Sequence, residues 1–124
     1  MLAVARSKLK EKAEFVLGDA ENLPFIDESF DIVICNDSFH HYPHPQMALL
    51  QIHRVLKNKG KIIIGDCYQK ALVRLIMNCF MRFSHEGDVK IYSEKEMKRM
   101  MMPYFHNIVF KTVDHCSFLI EGEK

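Results

Sequence analysis

Two short apolar runs separated by one amphipathic segment are the feature that most constrains how this chain can fold. The first run lies within Phe30–Cys35 and the second within Lys61–Ile64, and neither alternates with polar residues. Uninterrupted runs of this kind are typical of strands buried on both faces of a parallel sheet. Between them, Pro45 can begin a helix, which Gly60 is expected to end. The pattern predicts a right-handed βαβ unit and therefore an α/β fold.

The segments on either side of this unit extend it with further helices and strands. Apolar spacing, a Ser-x-x-Glu capping box at Ser93 and the helix-stopping Pro103 set the expected boundaries. Because the central strands are expected to be buried on both faces, helices should cover both sides of the sheet. In chain order we expect a helix containing Leu2, Ala5 and Leu9, a strand at Phe15–Leu17, helices over Leu72–Phe80 and Ser93–Pro103, and strands at Ile108–Val113 and Cys116–Ile120.

Composition excludes several classes of function. The 124 residues carry a net charge of +1, which argues against a nucleic-acid or membrane-surface role based on bulk charge. No apolar stretch approaches the length of a membrane span. The four cysteines lack the paired spacing of a zinc site, so reduced thiols and a cytoplasmic location are expected: Cys35, Cys67, Cys79 and Cys116.

Three motifs carry a resemblance to a known family. They are GDAENLPFIDESFDIV from Gly18, RVLKNKG from Arg54 and YSEKEM from Tyr92. Together they resemble the class I S-adenosylmethionine (SAM)-dependent methyltransferases, in particular the branch that acts on small molecules. The resemblance implies a Rossmann-like fold with a mixed sheet, in which the strand at Cys116–Ile120 runs antiparallel between its neighbours. It also implies SAM as cofactor and a small-molecule acceptor.

The resemblance covers the whole chain but only the later part of the family's domain. The family's first strand and Gly-rich turn have no counterpart before Phe15. Residues 1–124 are therefore expected to form a single partial domain, truncated at its N-terminus, with Met1 at a position that is often internal in the family. In the family, the first strand lies beside Phe30–Cys35. We therefore expect that sheet edge to be exposed and to form a homodimer that also buries Leu2–Leu17.

The resemblance implies a cofactor site in two segments. The carboxylate of Asp19 and the N–H of Ala20 would contact the adenine, with Glu21 in the same turn. Asn36, Asp37 and Ser38 would lie beside the methionyl part of SAM. Open α/β sheets bind ligands at the carboxyl ends of their strands, where both segments fall. Each segment also has a simpler interpretation, because Asp19 or the residues at 36–38 could cap the turn that follows a strand.

Histidines cluster at His40, His41 and His44. Imidazole can accept a proton near neutral pH, so His40 and His41 are the candidate catalytic residues. The family resemblance favours His41 as a residue that lines the cofactor pocket over His41 as a dedicated base. Solvated loop histidines are the simpler alternative. No zinc site is expected, because the three lie around two prolines and have no nearby cysteine.

The sequence thus predicts a SAM-dependent methyltransferase, or a truncated form of one, acting on a small molecule. Because a Gly-rich turn is not present in these residues, SAM binding by this chain alone is expected to be weak or absent. One alternative is a non-catalytic, methyltransferase-like remnant that serves as an assembly or regulatory module. Another is an enzyme that a partner chain completes.

Overall fold

A computed structural model of the chain describes residues 13–81 and 89–124. The described residues form four strands, three α-helices and one 3-10 turn. In chain order they are β1 (Phe30–Asn36), the 3-10 turn (Phe39–His41), α1 (Pro45–Val55), β2 (Leu56–Cys67), α2 (Ala71–Met81), α3 (Glu94–Met101), β3 (His106–Thr112) and β4 (Ser117–Glu123).

The four strands form one mixed sheet in the order β1-β2-β4-β3. Strands β1 and β2 are parallel, with Cys35 opposite Ile64. Strand β4 lies between β2 and β3 and is antiparallel to both, with Ile120 opposite Ile64. This arrangement confirms the predicted α/β fold, the βαβ pairing of the two apolar runs and the antiparallel C-terminal strand.

One face of the sheet carries the core of the described residues. Ile62 and Ile64 of β2 and Ile120 of β4 are fully buried there. Both α1 and α3 pack on this face, because their apolar residues repeat at helical spacing and belong to the same cluster. The helix residues of that cluster are Leu49 and Ile52 from α1 and Met97 and Met101 from α3.

Among residues 13–81 and 89–124, no helix covers the opposite face of the sheet, so coverage of both faces stays a prediction. Ile32 and Ile34 of β1 are 54% and 67% exposed, and Leu119 of β4 is 42% exposed. Helix α2 lies where the sequence predicts a helix, but it buries none of its residues. The helix predicted over Leu2–Leu9 lies outside the described residues.

The junction between α1 and β2 differs from its prediction. Pro45 begins α1 as expected, but the helix ends at Val55 and Leu56 is already extended. Gly60 therefore does not end the helix and lies within β2. The backbone is crowded there, since a Cβ on Gly60 would lie 2.8 Å from the carbonyl oxygen of Lys57. This crowding arises because β2 bulges between its first and later pairings with β1.

Two further predictions, at α3 and at Phe15–Leu17, have opposite outcomes. The capping box of α3 is formed, because the Ser93 side chain accepts from the Glu96 N–H while the Glu96 side chain accepts from the Ser93 N–H. The strand predicted at Phe15–Leu17 is wrong, since that segment is not part of the sheet and Leu17 is 84% exposed. Three apolar residues form a strand only against a partner edge, and within the described sheet β1 pairs with β2 alone.

Candidate functional site

The carboxyl ends of β1 and β2 border a cleft of about 410 Å³. This is the edge where ligands of open α/β sheets bind, because the loops diverge there. Two of the predicted cofactor residues, Asn36 and Asp37, lie in its wall. The other lining residues come from β2, β4 and the loop before β4: Gly65, Asp66, Cys67, Val113, Cys116, Ser117, Phe118 and Leu119.

Asn36 and Asp37 are held by the end of β2. The Asp37 N–H donates to the carbonyl of Gly65 at 2.8 Å, and Asp37 itself has a φ of 49°. That left-handed conformation turns the chain sharply out of β1, and aspartate tolerates it better than most residues do. A Cβ on Gly65 would lie 3.1 Å from the Asn36 Oδ1, so glycine gives the Asn36 amide room beside β2. The turn places one amide and one exposed carboxylate at the cleft.

The hydrogen bonds at Asp19 are those of a residue that caps a turn, which is the simpler of the two interpretations of Asp19. The Asp19 carboxylate accepts the N–H of Glu21 at 2.9 Å, and the Asp19 carbonyl accepts the N–H of Asn22 at 3.0 Å. Asp19 is exposed and Ala20 is half-buried within the same turn. The Glu21 carboxylate accepts the N–H of His44 at 2.7 Å, which ties this turn to the start of α1.

Arg54 of α1 holds the segment that follows this turn. Its guanidinium donates to the carbonyls of Leu23 and Phe25, at 2.9 and 2.7 Å, and to the carboxylate of Asp27 at 2.7 Å. A planar guanidinium with five N–H donors is suited to bridging several oxygens at once. Arg54 thereby fixes the Leu-Pro-Phe segment on α1 and limits where the preceding Asp19 turn can lie.

His40 is buried against Asp66. The Asp66 carboxylate accepts the backbone N–H of His40 at 2.9 Å and lies 2.5 Å from the His40 Nδ1. It also accepts the N–H of Cys67 at 2.7 Å. The carbonyl of His40 accepts the N–H groups of Val89 and Lys90. His40 therefore links the 3-10 turn, the end of β2 and the segment before α3, and the carboxylate favours a proton on its Nδ1.

The three histidines of the cluster do not converge on one point. His41 is exposed, with its ring centroid 3.9 Å from that of His40, and His44 is exposed at the start of α1. In the described ranges, one group could offer three metal-ligating atoms within 4.8 Å: His40, Asp66 and Cys67. Burial and the neighbouring Asp66 charge raise the pKa of Cys67 to about 12, so its thiol is protonated at neutral pH.

Ser38 belongs to a small internal cluster with Cys35 and Tyr42. Its hydroxyl lies 3.2 Å from the Cys35 sulfur and 3.2 Å from the Tyr42 hydroxyl. Burial raises the pKa of Tyr42 to about 12 and also raises the pKa of Cys35. These groups are therefore neutral at physiological pH, and their mutual contacts orient the Ser38 side chain.

The structure adds residues that sequence analysis did not assign. Asp66, Cys67, Cys116 and Ser117 line the cleft together with Asn36 and Asp37. The N–H of Tyr68 donates to the carbonyl of Cys116 at 2.6 Å, which fixes the loop before β4 at the end of β2. The antiparallel placement of the last strand could have indicated this, because it brings the start of β4 beside the end of β2.

Comparison with known proteins identifies the family. Residues 1–64 match the methyltransferase domain family. The chain therefore belongs to that family. It is similar to demethylmenaquinone methyltransferase of Thermotoga maritima, with 42% identity over 64 residues, which are 52% of this chain and 28% of that protein. It is also similar to phthiotriol/phenolphthiotriol dimycocerosates methyltransferase 1 of Mycobacterium ulcerans, with 49% identity over 53 residues, which are 43% of this chain and 20% of that protein.

Solved structures show the same Rossmann-like fold. The crystal structure of the YcgJ protein of Bacillus subtilis is similar, with a TM-score of 0.79 and 21% identity, over 99% of this chain and 76% of that chain. The matched segments span 28% and 20% of the two curated relatives above.

In the part of the chain that the structure describes, no helix is long and apolar enough to cross a membrane.

Proposed function

We propose that this chain supplies the adenine and methionyl walls of a SAM site and takes part in methyl transfer to a small-molecule acceptor. The observation that carries this proposal is the cleft at the carboxyl ends of β1 and β2, where Asn36 and Asp37, two of the residues that the family resemblance assigns to SAM, lie beside polar residues of β2. The family membership supports it, as do the two curated relatives, whose names describe methyl transfer to small molecules.

The residues present are chemically suited to these two parts of SAM. Asp19 is exposed, and its carboxylate retains acceptor capacity after the Glu21 N–H is satisfied, because an ionised carboxylate offers about four lone-pair sites. An adenine amino group could therefore donate to Asp19. The exposed carboxylate of Asp37 and the amide oxygen of Asn36 suit the ammonium of the methionyl part. SAM, when bound, would supply a methyl group on a positively charged sulfur.

The histidines divide into two roles under this proposal. His40 is a positioning residue, since its ring and backbone N–H groups are held by the buried Asp66. His41 is exposed next to it and is the candidate for lining the pocket or for taking a proton from the acceptor. Glu21 positions the start of α1 through the N–H of His44.

The direct test is calorimetric titration of residues 1–124 with S-adenosylhomocysteine. We expect a dissociation constant above roughly 100 μM, because these residues contain no Gly-rich turn to hold the ribose and the methionyl carboxylate. Asp19→Ala should weaken binding by about 1–2 kcal/mol, the contribution of one charge-assisted hydrogen bond. Asp31→Ala is the matched control, because Asp31 is also exposed and pairs only with Lys57.

Two results would contradict different parts of this account. An unchanged affinity in Asp19→Ala would contradict the adenine assignment, because the adenine would then lie elsewhere. A stoichiometric site in the low micromolar range would contradict the expected weak binding and would show that these residues bind S-adenosylhomocysteine tightly without a Gly-rich turn.

One observation favours self-association of the chain. Such association would suit either the alternative role as an assembly module or a homodimeric enzyme. In the sheet that the described residues form, strand β1 pairs on one side only, and its Ile32 and Ile34 are exposed. An apolar edge strand of this kind is an association site unless it is covered. We propose that a second copy of the chain covers this edge.

Light scattering at micromolar concentration tests the homodimer. We expect twice the chain mass of 14.6 kDa for the native sequence and the chain mass for Ile34→Lys. The charged side chain should be tolerated by the monomer, because Ile34 is 67% exposed. A monomeric native chain would contradict the homodimer. A dimer together with no detectable binding of S-adenosylhomocysteine would favour the assembly role.

A further inference from the structure

A second cleft lies beyond the end of β2, between α2 and α3. Its volume of about 590 Å³ is within the range of small-molecule sites. Tyr68, which directly follows β2, contributes to its floor, and Arg74 approaches from α2. This cleft and the one proposed for SAM have no lining residue in common. They are neighbours along the chain, because Cys67 lines the proposed SAM cleft and the next residue, Tyr68, lines this one.

The charge of this cleft differs from that of the chain. The whole chain has a net charge of +1. Among the described residues that line the cleft, four cations stand against one carboxylate, Glu94, which gives these residues a net charge of +3. The cations are Arg74, Lys95, Lys98 and Arg99. A concave surface lined by one sign of charge concentrates its field and attracts the opposite charge.

Two of these cations have no ion-pair partner among the described residues. The Lys98 ammonium lies 2.7 Å from the Glu94 carboxylate, one turn earlier on α3. Arg74 donates from Nη1 to the carbonyl of Gln69 at 3.2 Å. Among residues 13–81 and 89–124, Lys95 and Arg99 have no ion-pair partner, and both are exposed. An anion in the cleft would therefore meet cations that need not break an existing contact.

The remaining surface of the cleft is mainly apolar. Tyr68 is half-buried and packs on Phe110, with ring centroids 6.4 Å apart. This contact helps to hold the Tyr68 ring in place. Met102, at the end of α3, is 70% exposed and adaptable in shape. A ligand that filled this cleft would need an apolar body against Tyr68 and Met102 as well as an anionic group.

We propose that this cleft binds an anionic small molecule with an apolar body, in which a carboxylate or phosphate group pairs with Arg99 and Lys95. The planar guanidinium of Arg99 can donate two parallel hydrogen bonds to either group. This inference rests on the proposed function in one respect only, namely that the bound molecule would be the methyl acceptor. The binding itself is independent of SAM.

The test uses a matched pair of probes on the full 124-residue chain without SAM. Titration with 2-naphthoate, monitored by NMR or calorimetry, is compared with titration by the neutral 2-naphthamide, which has nearly the same shape. We expect the acid to bind at least about tenfold more tightly than the amide, and its affinity to fall as salt is raised. A third titration, with 2-naphthyl phosphate, shows which of the two anionic groups the cleft prefers.

Variants assign the effect to the cleft. Arg99→Gln should weaken 2-naphthoate about fivefold, and combining it with Lys95→Gln should bring the acid to the affinity of the amide. Both side chains are exposed, so the variants should fold. Lys57→Gln is the matched control, because Lys57 lies at the opposite end of β2 and pairs with Asp31.

Three outcomes would overturn this inference. They are equal binding of acid and amide, an equal loss in Lys57→Gln, and no loss when both Arg99 and Lys95 are replaced. Because no probe contains an adenosyl group, these results are distinct from failure of the SAM site. Conversely, charge-selective binding here together with an unchanged affinity for S-adenosylhomocysteine in Asp19→Ala would leave this inference standing and remove the adenine assignment of the proposed SAM site.

Discussion

The two faces of the sheet carry similar isoleucines in different surroundings. Ile64 of β2 is fully buried beneath α1 and α3, whereas Ile34 of the adjacent β1 is 67% exposed on the other face. Burial of an isoleucine side chain stabilises a fold by about 1.5–3 kcal/mol, so the covered face supplies most of the apolar stabilisation. The difference shows that the stability of the described residues and their capacity to associate are on opposite faces of one sheet.

The sharpest test of this comparison is the same truncation on each face. Ile64→Ala should lower the free energy of unfolding by about 2–5 kcal/mol, because it leaves a cavity in the core. Ile34→Ala should lower it by less than about 1 kcal/mol, because the side chain is already largely in water. Urea denaturation at low protein concentration measures both values.

Raising the protein concentration sharpens this comparison. If a second copy covers β1, the cost of Ile34→Ala should grow with concentration, while that of Ile64→Ala should not. If Ile34→Ala and Ile64→Ala lowered the free energy of unfolding equally at every protein concentration, the two faces would be equivalent.

The same contrast extends to the acidic residues at the carboxyl end of the sheet. Asp66 is buried and accepts two backbone N–H groups and the His40 ring, whereas Asp37 is exposed. Asp66→Asn should destabilise the fold by about 2–4 kcal/mol, because an amide cannot accept all three bonds and turns its NH₂ toward a donor. Asp37→Asn should change stability by less than about 0.5 kcal/mol, since asparagine tolerates the same backbone turn. Thermal unfolding of the two variants compares them, and similar melting temperatures would contradict the role of Asp66.

A smaller effect concerns α3, one of the two helices that cover the core. Burial alone would raise the pKa of Glu96, but hydrogen bonds from Lys90 and Ser93 outweigh it and hold this pKa at about 2. Because the folded value is below that of a free glutamate, Glu96 stabilises the fold above about pH 4.5, and this contribution is lost as the pH falls toward 2.

We expect Glu96→Gln to cost about 1 kcal/mol at pH 7, a value discounted for the solvent exposure of the Lys90 pair. The variant should also have a shallower loss of stability between pH 4.5 and 2, measured by urea denaturation across that range. Glu94→Gln is the matched control, because Glu94 lies on the same helix in an exposed pair with Lys98. An identical pH profile in native chain and Glu96→Gln would contradict the assignment.

Local signals account for the parts of the fold that the sequence predicted. Pro45 begins α1, Ser93 and Glu96 form their capping box, and the apolar runs of β1 and β2 pair in parallel. The two helix starts depend on residues close together in the chain. The parallel pairing follows from the strand–helix–strand order, because a helical crossover returns the second strand beside the first in the same direction. The exposure of Ile32 and Ile34 could not be predicted, because an apolar run has the same residue pattern whether or not a helix covers it.

The candidate site was less predictable, because its contacts join residues far apart in sequence. His40 and Asp66 are separated by 26 positions, and the cleft wall also includes residues of the loop before β4. The resemblance indicated Asp19, Asn36 and Asp37, but it gave no indication of the buried Asp66 that fixes His40. Gly60 was misassigned because a glycine that ends a helix and one that permits a close backbone contact look alike in sequence.

The position of β4 has a consequence for how the chain acquires its fold during synthesis. In the described sheet, β3 pairs with β4 alone, and β4 lies between β3 and β2. When the ribosome has made β1, β2 and β3, only the first two can pair, and β3 must wait for a strand that is made after it. The pairing of β2 with β4 is long-range, since it joins Cys67 to Ser117. Proteins with such long-range pairings fold slowly and expose apolar surface meanwhile. We therefore expect half of this sheet to assemble only after β4 has left the ribosome, so that newly made chains depend on chaperones during that interval.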